Sequence, residues 1–297
     1  MRLTAIRPPS VAGTFYPARP DVLAPLVDEL LERGGRSAPG ADSPSGEVLG
    51  LLVPHAGLVY SGAVAAAGWR LVGRPTAEPS PTVVLLGTNH GAAWLDGVAV
   101  WGDGGWRTPL GDVTVDTDLA DSISALGPPF VLDHAAHDGE HSIEVHLPLL
   151  QGVAPGARIV PLSVAAGTGT EAVAAGTRLG RLVARYRADV RPVLIAISTD
   201  MAHYPDHTSC AAVTEALLPA IIGLDPAWLA LGERRVTDGG TPGLVCGMCG
   251  IQPAVLGLAA LRALGATRGI RLAAATSADA GGPTGRTVGY LAVAFTG

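Results

Sequence analysis

Apolar positions along the chain fall into short runs separated by longer segments with a helical period. The short runs, rich in Val, Leu and Ile, read as strands over Val48–Val53, Thr82–Leu86, Gly97–Trp101, Arg158–Val164, Val193–Ile197, Arg271–Ala275 and Val288–Phe295. The periodic segments read as helices over Asp21–Arg33, Gly62–Leu71, Thr117–Leu126, Ser142–Gln151, Thr170–Arg185, Ser209–Ile222, Pro226–Leu231 and Gly250–Leu264. This alternation predicts an α/β fold, a single domain over residues 1–297 with a central, mainly parallel or mixed β-sheet flanked by helices. The strands are continuously apolar, so helices are expected on both faces of the sheet. Arg33–Glu47, "RGGRSAPGADSPSGE", reads as a surface loop.

Three of these strands run directly into polar loops. Val48–Val53 leads to "PHAGLVYSG" and His55, Thr82–Leu86 to "GTNHG" and His90, and Val193–Ile197 to "STDMAHYPDH" with Asp200, His203 and His207. Open α/β sheets bind ligands beyond the carboxyl ends of their strands, so these loops are candidates to converge on one site. Each of these histidines taken alone also fits a hydrogen-bonded loop residue. The glycines in "HAG" and "NHG" let the backbone turn sharply beside a ligand.

A rival candidate is "DHAAHDGEHSIEVH", Asp133–His146, the densest cluster of histidine and acid in the chain. With a helix starting at Ser142, however, His146 lies inside it and His134 and His137 precede it, so they cannot all face one metal. His134, His137 and His146 therefore read as surface or capping polarity.

Composition narrows the function classes. The chain has 297 residues and a formal net charge of −6, with scattered arginines and no aromatic-basic stripe, which argues against a nucleic-acid partner. The N-terminus lacks the long apolar run of a signal peptide, and no apolar run reaches membrane-span length, so a soluble cytoplasmic protein with no membrane partner is expected. Three cysteines make no disulfide framework. Cys246 and Cys249 form a lone C-x-x-C, and Cys249 precedes the helix "GIQPAVLGLAALRAL", a position that favours the metal-binding thiolate. Burial as a small hydrophobe and a redox pair with Cys246 are the alternatives.

Taken together, "RPPSVAGTFYP", "VPHAGLVYSG", "GTNHG", "TPLGDVTVD", "GEHSIEVHLPLLQ", "STDMAHY" and "CGIQP" resemble, in order and over most of the chain, the motifs of the Memo (mediator of cell motility) family. Bacterial and archaeal members are also called AmmeMemoRadiSam system protein B, which implies association with a radical-SAM or AMMECR-type protein. The resemblance implies a fold like that of the class III extradiol dioxygenase catalytic subunit, whose non-haem Fe(II) is held by two histidines and a carboxylate. It also implies His55, His90 and Cys249 as metal ligands, the last from the pattern Cys-Gly-x-x-Pro, His203 as a pocket histidine, and Glu140, His141 and Glu144 of "GEHSIEVHLP" as residues bordering the pocket. Sulfur in place of the carboxylate admits Cu or Zn as well as Fe(II).

Two functions follow as expectations. The first is an iron oxygenase acting on a small, catechol-like aromatic substrate, with His203 as acid/base, Asp200 orienting a neighbouring histidine, and His141 and Glu144 relaying protons or supporting the ligands. The second is a non-catalytic iron- or copper-binding or adaptor protein. Metal-assisted hydrolysis is a third class, unsupported by any G-x-S-x-G or H-E-x-x-H motif.

Overall fold

The computed structural model describes residues 5–35, 44, 46–73 and 80–297. Most of the expected 33–47 loop lies outside the described residues. An eight-stranded mixed sheet is the centre of the fold. Its strands, in chain order, are β1 (Val48–Val53), β2 (Thr82–Thr88), β3 (Val98–Val100), β4 (Phe130–Leu132), β5 (Arg158–Val164), β6 (Val193–Ser198), β7 (Arg268–Thr276) and β8 (Gly289–Thr296). They lie side by side as β7-β8-β1-β6-β2-β5-β3-β4. The middle four, β1-β6-β2-β5, are parallel, and the antiparallel pairs β8–β1 and β5–β3 turn the two flanks into mixed sheet.

Alternation along β1 shows how both faces are covered. A Cβ on Gly50 would meet Leu261 in the helix Ile251–Leu264, whereas Leu51 lies against Gly68 in the helix Leu58–Trp69. Successive strand residues point to opposite faces, so these two helices sandwich the sheet. β2 and β6 are buried at every position, as such a sandwich requires. Outside that layer, the helix Thr170–Asp189 packs tightly on Ile251–Leu264. A Cβ at Gly180 would come within 2.1 Å of the Ala260 carbonyl oxygen. Gly180→Ala must therefore separate two backbones, and it is expected to cost about 1–3 kcal/mol in urea unfolding. Gly285→Ala, which meets nothing, should leave stability unchanged.

Two differences from expectation bear on the site. The region 142–151 is not one helix: a 3₁₀ turn, Glu144–His146, precedes the helix Leu147–Val153. Ser142 does not cap it, because its hydroxyl donates to the Thr88 carbonyl of β2 at 2.8 Å and its own carbonyl accepts from Ser198. The second is a small antiparallel ladder, Met201–His203 with Cys246–Met248, which pairs His203 with Cys246. It delivers the cysteine loop to the end of β6. Among the described residues, no helix is long and apolar enough to cross a membrane.

Candidate metal centre

β1, β6 and β2 are adjacent, so the loops leaving their carboxyl ends converge. They bring His55, His90, Asp200 and His203 to one pocket of about 620 Å³, which Cys249, His141, Phe15, Tyr60, Tyr204 and Tyr290 also line. Ligand nitrogens of His55, His90 and His141 lie within 4.8 Å of one another, so these three residues could hold a metal ion. The rings of His90 and His141 stack at 4.6 Å, and His55 stands edge-on to both at 5.3 Å.

Glu140 organises two of the three imidazoles. Its carboxylate accepts from the His90 amide at 2.7 Å, from His90 Nδ1 at 2.9 Å, and from the His141 and Ser142 amides at 2.9 Å. Burial pushes this carboxyl up, but the His90 bond and charge and the Ser142 and His90 amides outweigh it and hold it at about 2. A carboxylate on Nδ1 leaves the far nitrogen of His90 bare for a metal, the usual arrangement behind a ligating histidine. Burial, opposed by the Glu140 charge, holds His141 at about 4, and burial together with the neighbouring imidazoles pushes His55 well below the usual histidine range. The His55 and His141 imidazoles are thus neutral near pH 7, the form that binds metal.

Asp200 is buried, and its carboxylate accepts from the backbone amides of His55 at 2.7 Å and Ala56 at 3.2 Å. It therefore positions His55 through the main chain rather than through a ring. Burial raises its carboxyl to about 7, against the lowering effect of those amides. Cys249 Sγ lies 3.2 Å from His55 Nε2 and 3.3 Å from the Asp200 amide. Burial and the Asp200 charge push this thiol well above its ordinary value. His203 Nε2 is buried without a hydrogen-bond partner, and burial lowers the ring to about 4.

The remaining sequence-stretch residues part ways. Glu144 does not line the pocket. Fully buried, it ion-pairs with Arg7 at 2.5 Å and accepts from the Ser10 and Val11 amides and the Tyr16 hydroxyl at 2.6 Å. It thereby straps residues 7–16 across the fold and seats Phe15 on the His141 ring at 4.6 Å. His207 bonds Thr276 outside the pocket. His137 and His146, expected at the surface or as caps, are both buried, while His134 stacks on Trp101 at 4.0 Å. The apolar walls around them come from elements distant in sequence, such as Trp101 and Trp106 around His137, which local patterning does not register.

Burial, with the Arg7 charge second, lowers His137 to about 3. The unfolded chain, with an ordinary histidine, takes up this proton first as pH falls from about 6.5. Stability is therefore lost across the window from about 6.5 down to about 3. The His137 contribution to that loss is about 2 kcal/mol between pH 6.5 and pH 5. Urea titrations of wild type and His137→Gln should show a shallower pH slope in the variant.

The model of the Memo-like protein family matches residues 7–294. The chain belongs to the Memo-like family. Among its relatives, a MEMO1 family protein of Methanopyrus kandleri is 33% identical over 294 residues, covering 97% of this chain and 98% of that protein. One from Thermotoga maritima is 35% identical over 290 residues, covering 96% and 98%. In structure, the chain is similar to an uncharacterised protein of Escherichia coli K12, with a TM-score of 0.50 at 16% identity, covering 84% of this chain and 99% of that one. That likeness speaks to the fold. All the pocket residues named above fall within the Memo-like match.

Proposed function

We propose that this Memo-like protein is a non-haem metal protein, and that with Fe(II) in its imidazole cluster it oxygenates a small catechol-like aromatic. The observation that carries the reading is the convergence of His55, His90 and His141 at a pocket walled by Phe15, Tyr60, Tyr204 and Tyr290. Three imidazoles suit iron, zinc or copper, so the donor set fits Fe(II) without singling it out. When bound, Fe(II) would supply open coordination positions at which an aromatic hydroxyl and dioxygen meet.

The chain's own groups have defined parts in this reading. His203, with Nε2 buried and unpartnered, accepts a proton from the substrate hydroxyl. Asp200 fixes the His55 backbone, and Glu140 fixes the His90 ring. The aromatic walls stack on the substrate ring and keep water from it. Anaerobic loading with Fe(II), followed by an oxygen-electrode screen of catechols and phenols, tests the reading. Uptake with a catechol and its loss in His203→Ala are expected, and no uptake with any compound on fully loaded protein would overturn it.

A second reading is a non-catalytic iron- or copper-holding protein that serves a radical-SAM or AMMECR-type partner. The Cys249 sulfur beside His55 Nε2 favours it, because soft sulfur suits Cu(I). Tight retention of copper without oxygen uptake would favour this reading over the first.

A further inference from the structure

We propose that Ser198, at the end of β6, is a positioning residue that fixes the proton of His55 on Nδ1 and leaves Nε2 unprotonated toward the pocket, where Cys249 Sγ lies 3.2 Å away. The inference rests on the metal-binding reading of the site, but it follows from donor and acceptor accounting among buried groups. Ser198 Oγ has three neighbours: the Ser142 carbonyl oxygen at 2.6 Å, His55 Nδ1 at 2.7 Å and His146 Nε2 at 2.9 Å. A hydroxyl has one proton to give and two lone pairs to fill. The carbonyl can only accept, so the Ser198 proton goes to Ser142, and both imidazoles must donate to Ser198.

The far side of the network agrees independently. The indole N–H of Trp69 can only donate, and it lies 3.2 Å from His146 Nδ1. His146 Nδ1 is therefore unprotonated and its proton sits on Nε2, facing Ser198. Placing the His55 proton on Nε2 instead would leave Nδ1 needing the Ser198 proton, and the 2.6 Å contact with Ser142 would then join two oxygens with no hydrogen between them. Every member of this set, Trp69, Ser142, His146, Ser198 and His55, is buried, so water cannot supply the missing partner. His90 Nδ1 likewise faces an acceptor, the Glu140 carboxylate at 2.9 Å. Two neighbouring rings thus each donate through Nδ1, one to a carboxylate and one to a serine whose own proton is committed elsewhere.

The test uses metal-free, ¹⁵N-histidine-labelled protein and long-range ¹H–¹⁵N correlation, which reads the protonated nitrogen of each ring. Wild-type His55 is expected to be protonated on Nδ1, and Ser198→Ala to show a mixture of tautomers. Zn(II) affinity, measured against a chromophoric chelator, is expected to fall about 10- to 100-fold in Ser198→Ala and to recover in Ser198→Thr, which keeps the hydroxyl. A wild-type His55 protonated on Nε2 would overturn the proposal, as would a Ser198→Ala protein with unchanged tautomer and affinity. If Ser198→Ala fails to fold, the wild-type tautomer alone decides. Wild type that binds no Zn(II) or Fe(II) yet holds His55 in the Nδ1 form would sink the metal reading and leave the proton placement standing.

Discussion

His141→Ala is expected to strip the protein of nearly all its metal after purification and dialysis, whereas Cys249→Ser retains most of it. Elemental analysis reads both. The expectation follows from which donors converge. The nitrogens of His55, His90 and His141 come within 4.8 Å of one another, and Glu140 seats both the His90 ring and the His141 amide. Cys249 is committed differently: its sulfur accepts the Asp200 amide and approaches His55 Nε2, the atom His55 would turn to a metal. Its serine replacement keeps a polar group there. The family resemblance puts sulfur, not His141, in the third position. The opposite result, metal lost with Cys249→Ser and kept with His141→Ala, would assign the third position to the thiolate. His55→Ala should abolish binding in either case, since both sets contain it.

Glu144→Ala is expected to be the most destabilising substitution in the strap. The fully buried carboxylate answers the buried Arg7 guanidinium, the Ser10 and Val11 amides and the buried Tyr16 hydroxyl. Arg7 also lies over Trp106 at 4.1 Å and donates to the carbonyls of His137 and Glu140, so it cannot swing out to solvent. Removing one partner of a buried pair costs about 3–5 kcal/mol, because the other charge stays buried and unpaired. In a chain of this size that is a fall in Tm on the order of 10 °C, measurable by thermal denaturation. Glu144→Gln, which keeps the shape and two acceptor lone pairs, should fall between. The strap also seats Phe15 on His141, so the Ala variant should hold metal more weakly even below its Tm. Unchanged stability in Glu144→Ala would mean that Arg7 finds another partner.

How much of this was legible beforehand differs from element to element. The periodic signal is local, and the elements it describes are those whose burial follows from their own pattern. β1 and β5 keep their expected limits, and β2 extends to Thr88 because its ladder with β5 continues through Gly87 and Thr88. β4 and the Met201–His203 strand are too short to carry a period, and only pairing with a distant strand makes them strands. The loops bearing His55, His90 and Asp200 could be placed together because each follows a strand of a parallel sheet, and the ends of such strands share one edge.

What the sequence by itself determined is therefore the α/β layering, the Memo-like motifs and the edge of the sheet at which polar loops gather. The tertiary structure alone decided which groups in the crowded stretch Asp133–His146 reach that edge. Glu140 and His141 do, Glu144 turns to Arg7, and His137 and His146 are buried behind it. Spacing could not separate them, because residues one to four apart in a 3₁₀ turn and its flanking loop point in nearly every direction. Their partners, Arg7, Trp69, Trp106 and Ser198, come from segments 31 to 137 residues away in the chain. Hydrogen-bond satisfaction in a dry interior is a property of that assembled set, and no stretch of sequence contains it.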